Sequence, residues 1–407
     1  MAINIHETFE TVRSTVMEEN MNIGQTLSKY HELYKTTNNK RKADLWVFGS
    51  WFGNRFADNP KMFFLYVKDK PGIHAVWVTK SKSVMDEVHN AGGDVYIYNS
   101  AEAIKLQEQA KYIFICTGMD DVYWPACGGA TIINFWHGVP LKKVVYDDKL
   151  NKYMFSFKTR LYTLLQRRPF KNQYVVATSQ TFATLYESAF KKDSSKILNW
   201  GQPRNDIFFN GVLKNKKYSS IQYCKLIAYL PTHRNEGATS MADDTIFDLD
   251  ILEDFCKKNS VLFIIKKHYY HQSETMDLSM YPHILDLTNR NDIDTQELLF
   301  NANVLITDYS SCYIDYLLLK RPIIFYCFDY DKYMKEDRQM YFDYNSVTPG
   351  DHAKNFNELL VSINNAISGN DRFKHQREKV TDMFYDKKNQ HLVSPNIYKN
   401  IVEGRIK

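Results

Sequence analysis

The sequence is short of the features that hold metals, cofactors or disulfide frameworks. Its six cysteines, Cys116, Cys127, Cys224, Cys256, Cys312 and Cys327, form no CxxC pair, and several sit inside apolar runs. Scattered cysteines of this kind read as small buried hydrophobes in a reducing compartment, not as disulfides or a thiolate metal site. There is no HExxH, which together with the unclustered Cys and His argues against zinc. No GxxxxGK[ST] occurs, so the P-loop enzymes are excluded. No GxGxxG follows the first candidate strand, so a dinucleotide redox site is not expected. Long apolar runs are also missing: Val261–Ile265 and Pro322–Phe328 are far too short to cross a bilayer. The opening residues, MAINIHETFETVR, are too polar for a signal peptide. A protein that stays on the cytoplasmic side is expected, with any membrane association peripheral. Charge of one sign is scarce as well. Against 52 basic residues stand 47 acidic ones, a net +5 that demands no nucleic acid but tolerates anionic substrates or lipid.

What remains is an ordinary globular composition, 44% hydrophobic and 24% charged, over 407 residues, enough for two domains. The aromatic share is high, with 28 Tyr and 25 Phe, most of which must fill cores. Residues 1–42 read as a polar helical extension. Short β-rich runs then follow at Asp44–Ser50, His74–Thr79, Asp94–Tyr98, Tyr112–Thr117, Thr131–His137, Tyr174–Ser179 and Lys196–Gly201. Helix-length stretches such as Asn59–Lys68, Ser81–Ala91 and Ala101–Ala110 separate them. This alternation predicts right-handed crossovers and a parallel sheet. The Lys-, Asn- and Ser-rich stretch Asn210–Ser220 marks a domain boundary. Beyond it a second block repeats the logic, with strands at Leu226–Pro231, Val261–Lys267, Ile284–Leu287, Val304–Thr307 and Pro322–Phe328. Its helices are expected at Thr245–Lys258, Ser311–Lys320, Asn355–Ile367 and Asp371–Tyr385. The fold class is therefore α/β, two Rossmann-like doubly wound domains. Ligands in such sheets sit at the carboxyl ends of the strands, so a cleft between facing domains is the expected site.

The polar residues just after each strand carry the chemistry. Thr131–Trp136 runs into His137-Gly138-Val139-Pro140-Leu141-Lys142, which mounts an imidazole at a strand end, where it can accept a hydroxyl proton. Read locally, a histidine that only satisfies a turn carbonyl fits as well. Val304–Thr307 leads into Asp308-Tyr309-Ser310-Ser311, where either serine can cap the next helix and its free N–H groups suit a phosphate. Caps without ligands are common. Arg234 follows one strand of the second block, Lys267 and His268 follow another, and Arg204 lies in a turn near the boundary. His137, Arg204, Arg234, Lys267 and His268 together would favour a diphosphate ligand. The pairs Asp120-Asp121 and Asp147-Asp148 are expected to be exposed turn residues, with magnesium binding as the alternative.

From Lys149 to Tyr186 there is no acidic residue and there are seven basic ones: Lys149, Lys152, Lys158, Arg160, Arg167, Arg168 and Lys171. Wound as a helix, Met154, Phe157, Leu161, Leu164 and Leu165 fall on one side and Lys152, Arg160 and Arg167 on another. That pattern suits a helix lying on anionic lipid, and equally one packed on its own sheet. The cations Lys158, Arg160, Arg167 and Arg168 could also hold an anionic polymer.

Six stretches in order resemble the CDP-glycerol glycerophosphotransferases, the teichoic acid and capsule polymerase family. They are Gly49-Ser50-Trp51-Phe52-Gly53 with Ala57-Asp58-Asn59-Pro60-Lys61; Trp136-His137-Gly138-Val139-Pro140-Leu141-Lys142, like W-H-G-T-P-L-K; Gly201-Gln202-Pro203-Arg204-Asn205-Asp206, like G-x-P-R-N-D; Pro231-Thr232-His233-Arg234, like P-T-W-R; Lys266-Lys267-His268-Tyr269, like K-x-H-P; and Thr307-Asp308-Tyr309-Ser310-Ser311 with Asp315-Tyr316, Lys320-Arg321-Pro322 and Asp329. The chain departs from the pattern at Val139, His233 and Tyr269.

The resemblance implies a GT-B fold. Residues 43–215 would bind the acceptor, through Gly53, Asn59 and Lys142. Residues 216–407, including the C-terminal helices, would bind the CDP donor. His137 would be the general base, removing a proton from the acceptor's terminal hydroxyl, and His268 the second catalytic residue. Arg204, Arg234, Lys267, His268, Asp308, Ser310 and Ser311 would hold the donor, with Asp308 orienting His268 or binding the donor itself. No tightly bound cofactor is implied, and any Mg2+ dependence enters through the donor diphosphate. The expected activity is transfer of a polyol phosphate, glycerol before ribitol, to a teichoic-acid-like or capsular polymer with release of CMP. The expected setting is the cytoplasmic face of a bacterial membrane, with a lipid-linked or polymeric acceptor. A sugar-nucleotide GT-B glycosyltransferase and a catalytically silent scaffold of the same fold are the competing readings.

Overall fold

The computed structural model describes residues 23–151, 155, 157–210, 218–232, 246–267, 277–290, 293–336 and 339–406. The chain divides into two compact units: an N-terminal one of Thr11–Val139, Val144–Phe209 and Tyr385–Lys407, and a C-terminal one that includes Pro140–Lys143 and Asn210–Phe384.

In the N-terminal unit seven strands are β1 (Lys42–Phe48), β2 (His74–Thr79), β3 (Asp94–Ile97), β4 (Ala110–Ile115), β5 (Thr131–Asn134), β6 (Gln173–Ala177) and β7 (Ile197–Asn199). They pair in the order β3-β2-β1-β4-β5-β6-β7, all parallel. Parallel strands are covered on both faces, which is why these runs are almost wholly apolar. The two-residue side-chain period divides them between two cores. Trp46, Phe48, Trp77, Tyr112 and Phe114 face one core, and Leu45, Val47, Val76, Ile113 and Ile115 the other. The first core is largely aromatic: Phe48 stacks on Phe114 with ring centroids 4.5 Å apart. Each buried aromatic ring of this kind contributes about 1.5–3 kcal/mol relative to exposure.

Two assignments from sequence change here. The helix α1 (Ile23–Thr36) is not a mere polar extension. Tyr30, Leu33 and Thr36 recur every three residues and are buried, and Tyr30 and Leu33 enter the second core. The C-terminal helix Ser394–Val402 belongs to the N-terminal unit, not to the donor block. Its Val393, Ile397 and Ile401 fill the aromatic core. Asp206 fixes its start, accepting from Val393 N at 2.8 Å and Ser394 N at 3.0 Å, as an acidic group at a helix N-terminus does.

In the C-terminal unit β8 (Lys225–Tyr229), β9 (Val261–Ile265), β10 (Ile284–Asp286), β11 (Val304–Thr307), β12 (Ile323–Tyr326) and β13 (Asp351–Ala353) pair in parallel in the order β10-β9-β8-β11-β12-β13. Both units are thus Rossmann-like. In each, the strand order reverses at one point, between β1 and β4 and between β8 and β11. Loops leave the sheet in opposite directions there, and that is where side chains at the carboxyl ends have room to act.

Candidate active site

β5 ends at Asn134, whose side-chain oxygen accepts from Trp136 N at 2.8 Å and starts a tight turn. Within it Trp136 and Gly138 have φ of 58° and 136°. A bulky residue held in the left-handed region stores strain that the surroundings must impose. His137, between them, is half-buried, with the rings of Trp136 and Trp51 at 4.1 and 5.7 Å. Its Nδ1 is 3.2 Å from the carbonyl oxygen of Cys116. A carbonyl only accepts, so Nδ1 carries the proton of the neutral ring and Nε2 the lone pair. That is the tautomer of a general base acting through Nε2.

The turn is held by residues from two other motifs. The buried Asn59 donates to Trp136 O at 2.9 Å and accepts from Arg204 N at 3.0 Å. Arg204 Nη1 donates to His137 O at 2.8 Å and lies 3.3 Å from Asp58 Oδ1. Glycine suits position 138 because its φ of 136° strains any residue with a side chain, and a Cβ there would also lie 2.7 Å from Arg204 Nη2. Arg204, expected at the donor, therefore sits in the N-terminal unit against the backbone of the His137 turn. Asn59, expected to meet the acceptor, grips the same backbone. Gly53, at φ 79°, offers its carbonyl to Lys80 N (2.6 Å) and Thr79 Oγ1 (2.8 Å), which ties the loop after β1 to the end of β2.

Asp121 is not an exposed turn residue. It is fully buried, with its carboxylate between the loops after β1 and β4. Burial pushes this carboxyl up to about 6 against the hydrogen bonds from Thr117, Cys116 and Phe52 that favour its charged form. Nothing local in the sequence marks it. Its burial depends on Gly49, where a Cβ would come within 2.2 Å of the Asp121 carbonyl oxygen.

In the C-terminal unit the corresponding place is held by Asp308, also fully buried. Its Oδ1 accepts from Thr232 N at 2.8 Å, Thr232 Oγ1 at 2.5 Å and Tyr309 N at 2.6 Å. Asp308 thus joins the loops after β8 and β11. Ser310 Oγ accepts from Cys312 N at 3.4 Å, and Ser311 precedes the one-turn helix Cys312–Tyr316 without a side-chain cap bond. The cap expected from sequence is thus carried weakly by Ser310. Lys267, at the end of β9, is buried, and its N–H donates to Thr288 Oγ1 at 3.2 Å. Arg234 and His268 lie outside the described residues.

Lys142, expected with the acceptor-side residues, pairs with the C-terminal unit. It bridges antiparallel to Met340, and its ammonium meets the Tyr333 hydroxyl, 4.7 Å over that ring. Tyr333 stacks on Tyr309 at 3.7 Å and 11°. Lys142 is therefore one ring away from the Asp308–Ser311 loop.

The basic segment forms a helix at Phe157–Gln166. Leu164 is 64% exposed, Arg167 and Arg168 are exposed, and Leu165 packs against the second core. The Lys158 and Arg160 side chains lie outside the described residues. Among the described residues no helix is long and apolar enough to cross a membrane.

Two doubly wound parallel sheets are the two halves of a GT-B-type fold, and a histidine is mounted at a strand end of the first. The sequence profile of CDP-glycerol:poly(glycerophosphate) glycerophosphotransferase matches residues 32–403, and the chain belongs to that family. It is 28% identical over 358 residues to a teichoic acid glycerol-phosphate transferase of Staphylococcus aureus, covering 82% of this chain and 87% of that one. It is 28% identical over 374 residues to a teichoic acid poly(glycerol phosphate) polymerase of Staphylococcus epidermidis, covering 88% of this chain but spanning only 50% of that polymerase. Among solved structures, the wall teichoic acid polymerase TagF superposes with a TM-score of 0.72 at 26% identity, over 98% of each chain.

Proposed function

We propose that this chain transfers glycerol phosphate from CDP-glycerol to the terminal hydroxyl of a teichoic-acid-type polymer. The observation that carries the mechanism is the Nδ1 contact of His137 with the Cys116 carbonyl. With Nδ1 protonated, Nε2 takes the proton of the acceptor hydroxyl as its oxygen attacks the phosphorus bearing glycerol. The new P–O bond forms as the bond to the CMP phosphate breaks, and CMP leaves with the electron pair. Phosphoryl transfer of this type depends on positioning and charge neutralisation more than on covalent chemistry.

The donor diphosphate is assigned to the C-terminal unit: Lys267, Ser310 and Ser311, with Arg234 and His268 of the same motifs. Mg2+, where required, arrives with the diphosphate. Asp308 serves by holding the loops. Arg204 and Asn59 serve the His137 turn, and Gly53 shapes the loop beside it. Lys142 is reassigned from the acceptor to the donor-side loop. The exposed Leu164, Arg167 and Arg168 support docking of the protein on the anionic cytoplasmic face of a membrane, where a lipid-linked or capsular acceptor would be met.

The test is product mass analysis with CDP-glycerol and CDP-ribitol in parallel on a glycerol-phosphate primer. CMP release with addition of glycerol phosphate units is expected. His137→Ala should abolish turnover and leave CDP-glycerol binding intact. UDP release from a UDP-sugar without CMP release would overturn the reading.

A further inference from the structure

The histidine is oriented by a carbonyl, and a carbonyl is only as well aimed as the peptide plane that carries it. The Cys116 carbonyl shares a rigid plane with the N–H of Thr117. That N–H donates to Asp121 Oδ2 at 2.9 Å, while the carbonyl receives His137 Nδ1 at 3.2 Å. One peptide group is thus gripped at both ends, by a carboxylate on its N–H and by the imidazole on its oxygen. We propose that Asp121 is a positioning residue for His137, acting through the Cys116–Thr117 peptide. This rests on the reading of His137 as the base.

Three further contacts aim the same carboxylate. Cys116 N donates to Oδ2 at 2.8 Å, Phe52 N to Oδ1 at 2.7 Å, and the Thr117 hydroxyl also donates to Oδ1. The donors come from the loops after β1 and β4, which diverge at the reversal point of the sheet. Left alone, those loops have no strand ladder to hold them. Phe52 and its neighbour Trp51 are held at φ 59° and 49°, and the Trp51 ring lies 5.7 Å from the imidazole. Asp121 therefore sets both the acceptor for Nδ1 and one wall of the ring's surroundings. A negative charge on the N–H end of a peptide also polarises its carbonyl, since hydrogen bonds in a chain strengthen one another. The Nδ1 proton is held more firmly, and Nε2 becomes the more basic nitrogen. The arrangement does the work of a carboxylate–histidine pair with one peptide inserted between them.

Asp121→Asn keeps the shape, removes the charge and leaves the donors on one oxygen without an acceptor. In the full-length protein we expect kcat for CMP release to fall about 10–100-fold with the KM for CDP-glycerol unchanged. Imidazole 15N shifts, assigned by difference with His137→Gln, should move from the Nδ1-protonated tautomer toward a mixture. This second readout needs no substrate. A tautomer unchanged in Asp121→Asn overturns the inference, whatever happens to kcat. Should that variant fail to fold, Thr117→Val removes the hydroxyl's contacts with Asp121 and with Phe52 N but leaves the carboxylate, and should shift the tautomer part of the way; no shift overturns the inference equally. A tautomer lost in Asp121→Asn, with a wild-type protein that itself releases no CMP from CDP-glycerol, would leave the positioning role standing and remove the proposed activity.

Discussion

Thr232 donates twice to one oxygen of Asp308, through its backbone N–H at 2.8 Å and its hydroxyl at 2.5 Å. The same oxygen takes Tyr309 N, so a single buried carboxylate joins the loops after β8 and β11. Asp121 does the same for the loops after β1 and β4 in the other sheet. Each unit places one carboxylate just past the carboxyl ends of the two paired strands between which its order reverses, where the backbone ladder between them stops. Thr232 directly precedes His233 and Arg234, and Tyr309 directly precedes Ser310 and Ser311.

The first prediction follows from that relationship. Hydrogen bonds to a charged group are worth about 1.5–3 kcal/mol. Asp308→Asn should therefore weaken CDP-glycerol binding by roughly 10–100-fold, read as KM or by calorimetry. Because the loops it joins are assigned to the donor and not to the base, kcat at saturating donor should fall less than binding does. Undiminished donor affinity would contradict the assignment.

A second prediction concerns the turn that carries His137. Gly138→Ala would bring a methyl group against the Arg204 guanidinium and hold a non-glycine residue at φ 136°. Strain of that kind costs of order 1–3 kcal/mol. Arg204→Lys keeps the charge but replaces the planar guanidinium, whose Nη1 meets both His137 O and Asp58 Oδ1, by a flexible ammonium. Both variants should lower kcat for CMP release more than they weaken donor binding. The Arg204 variant is the sharper test, because a residue that held the donor diphosphate would show the opposite split.

Much of this architecture is legible in the sequence, and the exceptions depend on residues far apart in the chain. Parallel strands buried on both faces announce themselves as apolar runs, so Val304–Thr307 is legible at its observed bounds, while the strand expected over Val261–Lys267 ends at Ile265, where its apolar run gives way to two lysines. Asp351–Ala353 was missed because it is a short edge strand carrying Asp and His, which reads locally as a loop. The amphipathic face of the C-terminal helix is visible in Ile397 and Ile401, but the core it enters is chosen by Asp206, far away in sequence. His137 could be found from its place after a strand. Asp121 could not, since adjacent aspartates in a turn look solvated until Gly49 lets the chain close over the second of them. Arg204 was recognised as a motif residue, yet its partner is a backbone carbonyl that no spacing rule reveals.

The third prediction concerns the basic segment. Leu150, Phe155 and Leu164 are 51, 39 and 64% exposed, and Arg167 and Arg168 are exposed beyond the helix. Each cation near an anionic bilayer is worth about 1 kcal/mol. Arg167→Gln with Arg168→Gln should therefore lower binding to phosphatidylglycerol vesicles by roughly 30-fold, and added salt should weaken the wild type in the same direction. Co-sedimentation measures it. Binding that ignores both the substitutions and the salt would mean that these cations face no lipid.

The fourth prediction sets stability against catalysis at Asp121. Its carboxyl titrates near 3.8 when exposed and is pushed up to about 6 by burial. Between those values the folded protein binds more protons than the unfolded chain, so this group's contribution to stability falls as pH rises from 4 to 6. At 1.36 kcal/mol per pH unit the loss amounts to about 3 kcal/mol. Asp121→Asn has no such titration. The melting advantage of wild type over Asp121→Asn should therefore be largest near pH 4 and shrink toward pH 6.5, with the other carboxylates cancelling in the difference. An advantage that grew over this interval would mean that the hydrogen bonds from Phe52, Cys116 and Thr117 outweigh burial. Catalysis runs the other way. Only the ionised carboxylate accepts all of its donors, so kcat should rise over the interval in which the enzyme becomes less stable.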